Sequence, residues 1–251
     1  MEHIFKLHND LDILHNRIIN LDNRKYYQVI LLVIANDTND YYCEMIKNYW
    51  IPLINYVKKN HISIRIFLLF GKQPINIKID LNDIIVKETG EGYIPQILQK
   101  TILALEHIYK TYEFKHLIRS NLSSFFRIDK LIQLSDNLAN KDIFSGFRGY
   151  NPTHINGGGI WLSKDVLFYL LQNKTKLNYK IIDDVAISNL LFNKYYKNLI
   201  NIRESFNDYS ILNRYDCNIK KKYDFYHIRI KSINRFNDAK IMKLLFEYYY
   251  S

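Results

Sequence analysis

The sequence predicts an α/β fold in which helices flank a mixed, mostly parallel sheet, and three observations carry that expectation. Tyr27–Ala35 is an almost continuous apolar run closed by Asn36-Asp37-Thr38, the form taken by a strand buried on both faces. A second apolar run, Ile62–Phe70, follows a stretch of helical periodicity at 39–59, so strand, helix and strand succeed one another within about 40 residues. An amphipathic segment from Pro95 to Tyr112 then sets Ile97, Leu98, Ile102, Leu105 and Ile108 on one side and leads into a further apolar run, Phe114–Ile118. Such alternation gives a helix-covered parallel sheet, and in such sheets ligands bind at the carboxyl ends of the strands.

The other elements follow in order. Residues 1–25 carry Leu11, Leu14, Ile18 and Leu21 at helical spacing and read as a leading helix. Ile84-Ile85-Val86 reads as a short third strand before the Gly-containing loop Glu88–Gly92. Beyond Asp129 the pattern loosens: 144–150 and 159–162 read as short strands, 164–173 and 183–196 as helices, 223–230 as a strand and 236–249 as a final helix. No Pro-, Gly- or Ser-rich linker and no repeat divides the chain, so residues 1–251 are read as a single domain.

Composition narrows the partners. The formal charge of +10 favours an anionic ligand, whether nucleic acid, phospholipid or a phosphorylated small molecule. Lysine shares its abundance with Asn, Ile and Tyr, a bias typical of AT-rich coding, so no nucleic-acid partner is expected. Cys43 and Cys217 form no CxxC pattern and suggest neither a zinc site nor a disulfide framework. The N-terminus lacks an apolar signal core and no apolar run is long enough for a transmembrane segment, so a soluble, intracellular, cytoplasmic protein is expected. Walker A, GxGxxG and HExxH patterns are absent.

Three polar junctions close apolar runs. Asp183 and Asp184 stand side by side between Ile181-Ile182 and Val185-Ala186-Ile187. Adjacent carboxylates repel, so folds keep them mainly where a ligand, a cation or a proton transfer uses them. Gly157, Gly158 and Gly159 are three of only eight glycines and precede Ile160-Trp161-Leu162-Ser163. They suit either a plain turn or a place where backbone presses against a ring or takes positive φ. Arg119-Ser120-Asn121-Leu122-Ser123 ends the 114–118 run. Asn36, Thr38, Lys72 and Glu88 also sit at strand ends. His107, His116 and His154 suit structural roles as single histidines.

The order of a helix bearing Lys100-Thr101, a strand, a polar insert, Gly-Gly-Gly-Ile-Trp-Leu-Ser and Asp-Asp-Val resembles the beta-1,3-galactosyltransferase and Fringe-type glycosyltransferases of family 31, over residues 84–192. The resemblance implies a GT-A (Rossmann-like) fold with a nucleotide-binding half at about 26–128 and an acceptor-binding half, with the C-terminal helix, at about 129–251. It implies transfer of a sugar, with inversion, from a nucleotide-diphosphate donor such as a UDP-sugar to a hydroxyl of a glycan or protein acceptor. The family's Asp-x-Asp, which holds Mn²⁺ against the diphosphate, corresponds here to Asn121-Leu122-Ser123, with both charges gone. Mn²⁺ or Mg²⁺ is therefore not expected to be essential, no other cofactor is indicated, and no metal ligand is assigned.

The resemblance further implies that Asp184 is the general base of the catalytic pair. Asp183 beside it also suits a helix cap. The family's usual Gly is replaced by Ser188. Donor contacts are expected from Asn36, Thr38, Glu88, Lys100, Arg119, Asn121, Ser123 and the glycines at 157–159, with Tyr93 a lesser candidate. Strand alternation places His227, Arg229 and Lys231 on one face, either as a phosphate clamp or as ordinary charges on an exposed edge strand. The competing functional reading is a non-catalytic basic α/β protein that binds nucleotide or nucleic acid.

Overall fold

The computed structural model describes residues 24–148, 153–196 and 225–250. Its centre is a six-stranded sheet of β1 (Tyr26–Ile34), β2 (Ile64–Phe70), β3 (Ile84–Val86), β4 (Glu113–Asn121), β6 (Phe144–Arg148) and β7 (Ile155–Ser163), in the order β3-β2-β1-β4-β7-β6. β1 pairs in parallel with β2 and β4, and β2 with β3. β7 is antiparallel to both β4 and β6. The chain therefore builds outward from β1 through β2 to β3, then returns to β1's other side with β4. A short second sheet joins β5 (Ser124–Phe126) to β8 (His227–Arg229).

The period of two along β1 separates two core layers. Val29, Leu31 and Val33 face α1 (Asp40–Met45), α2 (Ile51–Lys59), α4 (Ile128–Asn137) and α7 (Arg235–Tyr250), through Met45, Leu53, Val57, Leu131 and Met242. Ile30 and Leu32 face α3 (Gln96–Thr111), α5 (Lys164–Gln172) and α6 (Asp183–Tyr195), through Leu98, Leu105, Leu167 and Ile187. All five β1 residues from Val29 to Val33 are fully buried. That explains the unbroken apolar run, since each side chain so buried contributes about 1.5–3 kcal/mol.

A π-helical segment, Ile46–Trp50, joins α1 to α2. Pro52, at the start of α2, has no N–H to continue an α-helical ladder, and the wider turn just before it accommodates that loss. This segment buries Tyr49 and Trp50 against the β4–β5 connection. Trp50 Nε1 donates to Leu122 O at 3.1 Å, and Phe126 N donates to Tyr49 Oη at 2.8 Å. The turn carrying Asn121 and Ser123 is thereby fixed from below.

Several expectations are corrected. β5 and α4 occupy a region read as irregular. α4 carries Ile128, Leu131, Ile132 and Leu134 at helical spacing, a signal present in the sequence that the irregular reading misses. The polar insert does not end the strand: β4 continues through Asn121, because Ser120 satisfies its hydroxyl on Gly158 O at 2.6 Å and stays in register with Gly159. The glycine cluster is no turn but the interior of β7, which starts at Ile155. β8 pairs on one side with β5, and burial of His227 and Ile228 keeps it from being an exposed edge. The leading helix at 1–25 lies almost wholly outside the described residues, as do Cys217 and parts of the 144–150 and 223–230 strands. Among the described residues, no helix is long and apolar enough to cross a membrane.

Candidate active site

β1 and β4 diverge in chain order at the centre of the sheet, and a cavity of about 390 Å³ opens at their carboxyl ends. Ile34, Ala35 and Asn36 follow from β1, and Arg119, Asn121, Leu122 and Ser123 from β4. Antiparallel β7 brings Asn156 and Gly157 to the same edge. Ile182 and Asp184 come from the start of α6, and Arg229, Lys231 and Arg235 from β8 and the start of α7. The loop ahead of α3 completes the wall with Glu91, Gly92 and Tyr93, together with Ile97 and Lys100 of that helix.

The two adjacent acids part company. Asp183 is fully buried and grips Arg119 in a fork: Arg119 Nε donates to Oδ2 at 2.9 Å and Nη2 to Oδ1 at 2.8 Å. Thr101 Oγ1 lies 3.3 Å from the same carboxylate. Asp183 does not reach the cavity, and it makes no side-chain cap to its helix. Its place in a catalytic pair is corrected accordingly: it is the counter-charge of Arg119. Asp184 does line the cavity. Its Oδ2 accepts from Gly157 N at 2.8 Å and its Oδ1 from Val185 N at 2.9 Å, so the carboxylate is held at a fixed place in the wall.

The glycines serve close packing of side chains, not positive φ. A Cβ on Gly157 would stand 2.4 Å from Arg119 Nη1, one on Gly158 2.9 Å from Arg229 Nη1, and one on Gly159 3.3 Å from the His227 ring. Only Gly157 borders the cavity. Gly158 and Gly159 are donor-contact expectations that geometry removes. Arg119 also donates to Gly157 O, tying β4 to β7 at the cavity floor.

His227 is corrected as a phosphate ligand. It stacks on Phe126 with ring centroids 4.5 Å apart, is buried and lies outside the cavity lining. Burial, reinforced by the charge of Arg229, pushes its pKa down to about 3, so the imidazole is neutral. Glu88 is exposed and off the cavity. Glu91, three residues on, takes the place expected of it. Thr38 is likewise exposed and off the cavity, and its N–H donates to Asn36 Oδ1 at 2.6 Å. Asn36, Lys100, Arg119, Asn121, Ser123, Arg229 and Lys231 are brought together as expected. Glu91, Asn156 and Arg235 escaped the sequence reading. Arg235 carries a usable signal, standing at the start of the final helix four residues beyond Lys231.

Five cationic side chains and two carboxylates line the cavity. Lys100 Nζ meets Glu91 Oε2 at 2.7 Å and Ala35 O at 3.0 Å, and burial lowers its pKa despite that acid. Arg229 is pulled down to about 10, by burial first and then by repulsion from Arg119 and Arg235, and so remains protonated at neutral pH. Tyr93 is raised by burial and by the charges of Asp184 and Asp183.

A divalent cation does not fit these residues. Asn121 Oδ1 is engaged by Ser123 N at 3.2 Å and Ser123 Oγ at 2.9 Å, and Asn121 Nδ2 donates to Gly157 O at 3.2 Å. Glu91 is committed to Lys100 and, through Oε1, to the N–H of Gly71 at 2.6 Å. Asp184 would be left to hold a hard cation against a surplus of positive side chains. Among the described residues, no three His, Cys, Asp or Glu side chains converge in metal-binding geometry. Scanned against protein-family models the chain matches none, and a search of curated proteins finds no match either.

Proposed function

We propose that this protein is a glycosyltransferase of GT-A type that moves a sugar from a nucleotide-diphosphate donor, probed first as a UDP-sugar, to a hydroxyl of a glycan or protein acceptor. The observation that carries the reading is the position of Asp184, the cavity carboxylate that no cationic side chain pairs with at ion-pair distance among the described residues. It is a fixed carboxylate in the wall of a cation-rich cavity at the sheet's switch point, while its neighbour Asp183 is neutralised out of reach. The strand order, with one antiparallel strand beside β4, supports the GT-A assignment.

In this reading Asp184 accepts the proton of the acceptor hydroxyl as that oxygen bonds to the anomeric carbon. The bond from that carbon to the diphosphate breaks on the opposite side, giving inversion, and the diphosphate leaves with the electron pair. Positive side chains of the cavity stabilise the charge that develops there. Purified protein incubated with UDP-, GDP- and TDP-sugars, with and without Mn²⁺, tests the proposal through binding and release of the nucleoside diphosphate. Absence of both with every donor removes it. A specific observation favours one alternative, a nucleotide-binding protein without transfer: both Asp184 oxygens already accept backbone N–H bonds. Donor binding with no turnover would identify that case.

A further inference from the structure

We infer that this cavity holds a diphosphate directly on Arg229 and Lys231, which supply together the double positive charge that a divalent cation would otherwise bring. The inference deepens the nucleotide-diphosphate reading, but it concerns the anion alone and stands or falls without any sugar transfer.

Pairing within the cavity singles these two out. Lys100 has Glu91 at 2.7 Å, Arg119 has Asp183 at 2.6 Å, and Arg235 has Asp238. Among the described residues, Arg229 and Lys231 have no carboxylate within ion-pair distance. Arg229 is partly buried, donates from Nη1 to Asn156 Oδ1 at 3.0 Å, and keeps an Nε sealed from solvent with no hydrogen-bond partner. A guanidinium held this way, with burial and the repulsion of Arg119 and Arg235 outweighing the attraction of Asp184, is an unfavourable arrangement for a ligand-free fold. A bound anion relieves it.

The backbone shows that the position is built. Arg229 pairs with Ser124 across the β5–β8 sheet, and Ile230 N donates to Ser123 O at 2.8 Å. The cation is therefore fastened to the turn that carries Asn121 and Ser123, where a metal-binding pair of acids would stand in the family this chain resembles. Gly158 leaves room for the guanidinium, since a Cβ there would come within 2.9 Å of Nη1. Lys231, just beyond the strand, is exposed at the cavity rim and adds a point charge on a flexible stem. Arginine suits the inner position because its planar fork meets two phosphate oxygens at once and stays charged when partly buried.

The test is calorimetric titration of the full chain with inorganic pyrophosphate and, separately, with UDP, each in EDTA and in Mn²⁺. Pyrophosphate is expected to bind in EDTA with a Kd within about twofold of that in Mn²⁺. Arg229→Gln is expected to weaken it on the order of tenfold or more, and Lys231→Gln by less. Ligand-free Arg229→Gln should melt at or above the wild-type temperature, because a charge that Asp184 only partly offsets is gone. A purely structural arginine would lower it. Should Arg229→Gln fail to fold, Lys231→Gln at the exposed rim still decides the matter. Pyrophosphate binding that requires Mn²⁺, absent binding in both buffers, or unchanged Kd in the folded variants overturns the inference. Pyrophosphate and UDP binding that needs Mn²⁺, beside sugar transfer that proceeds, would remove the inference and leave the transferase reading. Metal-free binding of pyrophosphate and UDP without transfer would do the reverse.

Discussion

Asp183 and Asp184 are neighbours in sequence with opposite fates, and the difference predicts opposite phenotypes. Asp184→Asn keeps the shape and, through its one amide oxygen, one of the two backbone hydrogen bonds, but removes the proton acceptor. Transfer is expected to fall by about 10²–10⁴-fold with donor Kd nearly unchanged, read by coupled turnover and calorimetry. Asp183→Asn strips the counter-charge from buried Arg119 and leaves a fork of donors with a single acceptor. It should cost roughly 3–5 kcal/mol of folding stability in urea titrations. A loss of activity without that destabilisation would contradict the structural role given to Asp183.

At the scale of elements, the site rests on a platform formed by the π-helical segment, the β4–β5 turn and the end of α7. Tyr250 Oη accepts from Ile128 N at 2.8 Å and donates to Phe126 O at 2.6 Å, closing α7 over the same connection that Tyr49 and Trp50 support from below. Tyr250→Phe should lose about 1–3 kcal/mol, since it leaves two partly sealed backbone groups without that partner. Equal denaturation midpoints for the two proteins would show the closure to be dispensable. Sequence periodicity found α7 and the helix at 39–59 but not their joint purpose. The apolar faces are local facts, whereas the hydroxyl of Tyr250 finds Phe126 across 124 residues.

For the whole molecule, buried histidines set the acid limit. Burial pushes His116 down to about 4 and His227 to about 3, against 6.5 for a free imidazole. Between pH 6.5 and those values the unfolded chain takes up protons that the folded protein excludes. The stability from neutral imidazoles is therefore complete above pH 6.5 and is lost as the pH falls toward the folded values. Unfolding free energy should drop by on the order of 4 kcal/mol from pH 7 to pH 5, about half of it from each histidine, and the drop should shrink in His116→Gln. A pH-independent midpoint over that range would contradict the burial of a neutral His116 between Ser135 Oγ and Ala139 O.

The alternation of apolar runs and amphipathic stretches determined the α/β class and the positions of most strands and helices, because strand burial and helix periodicity are written in neighbouring residues. Polar residues at the ends of β1 and β4 were legible for the same reason, and Asn36, Asn121 and Ser123 do meet at the cavity. The sequence could not say which acid faces that cavity or which cation lacks a partner. Asp183 is claimed by Arg119 from 64 residues away, and Arg229 contacts Asn156 across 73. His227 alternates with Arg229 as a strand should, yet stacking on Phe126 and burial take its charge away. Charge state and pairing depend on which distant groups share a low-dielectric space, and only the tertiary structure decides that.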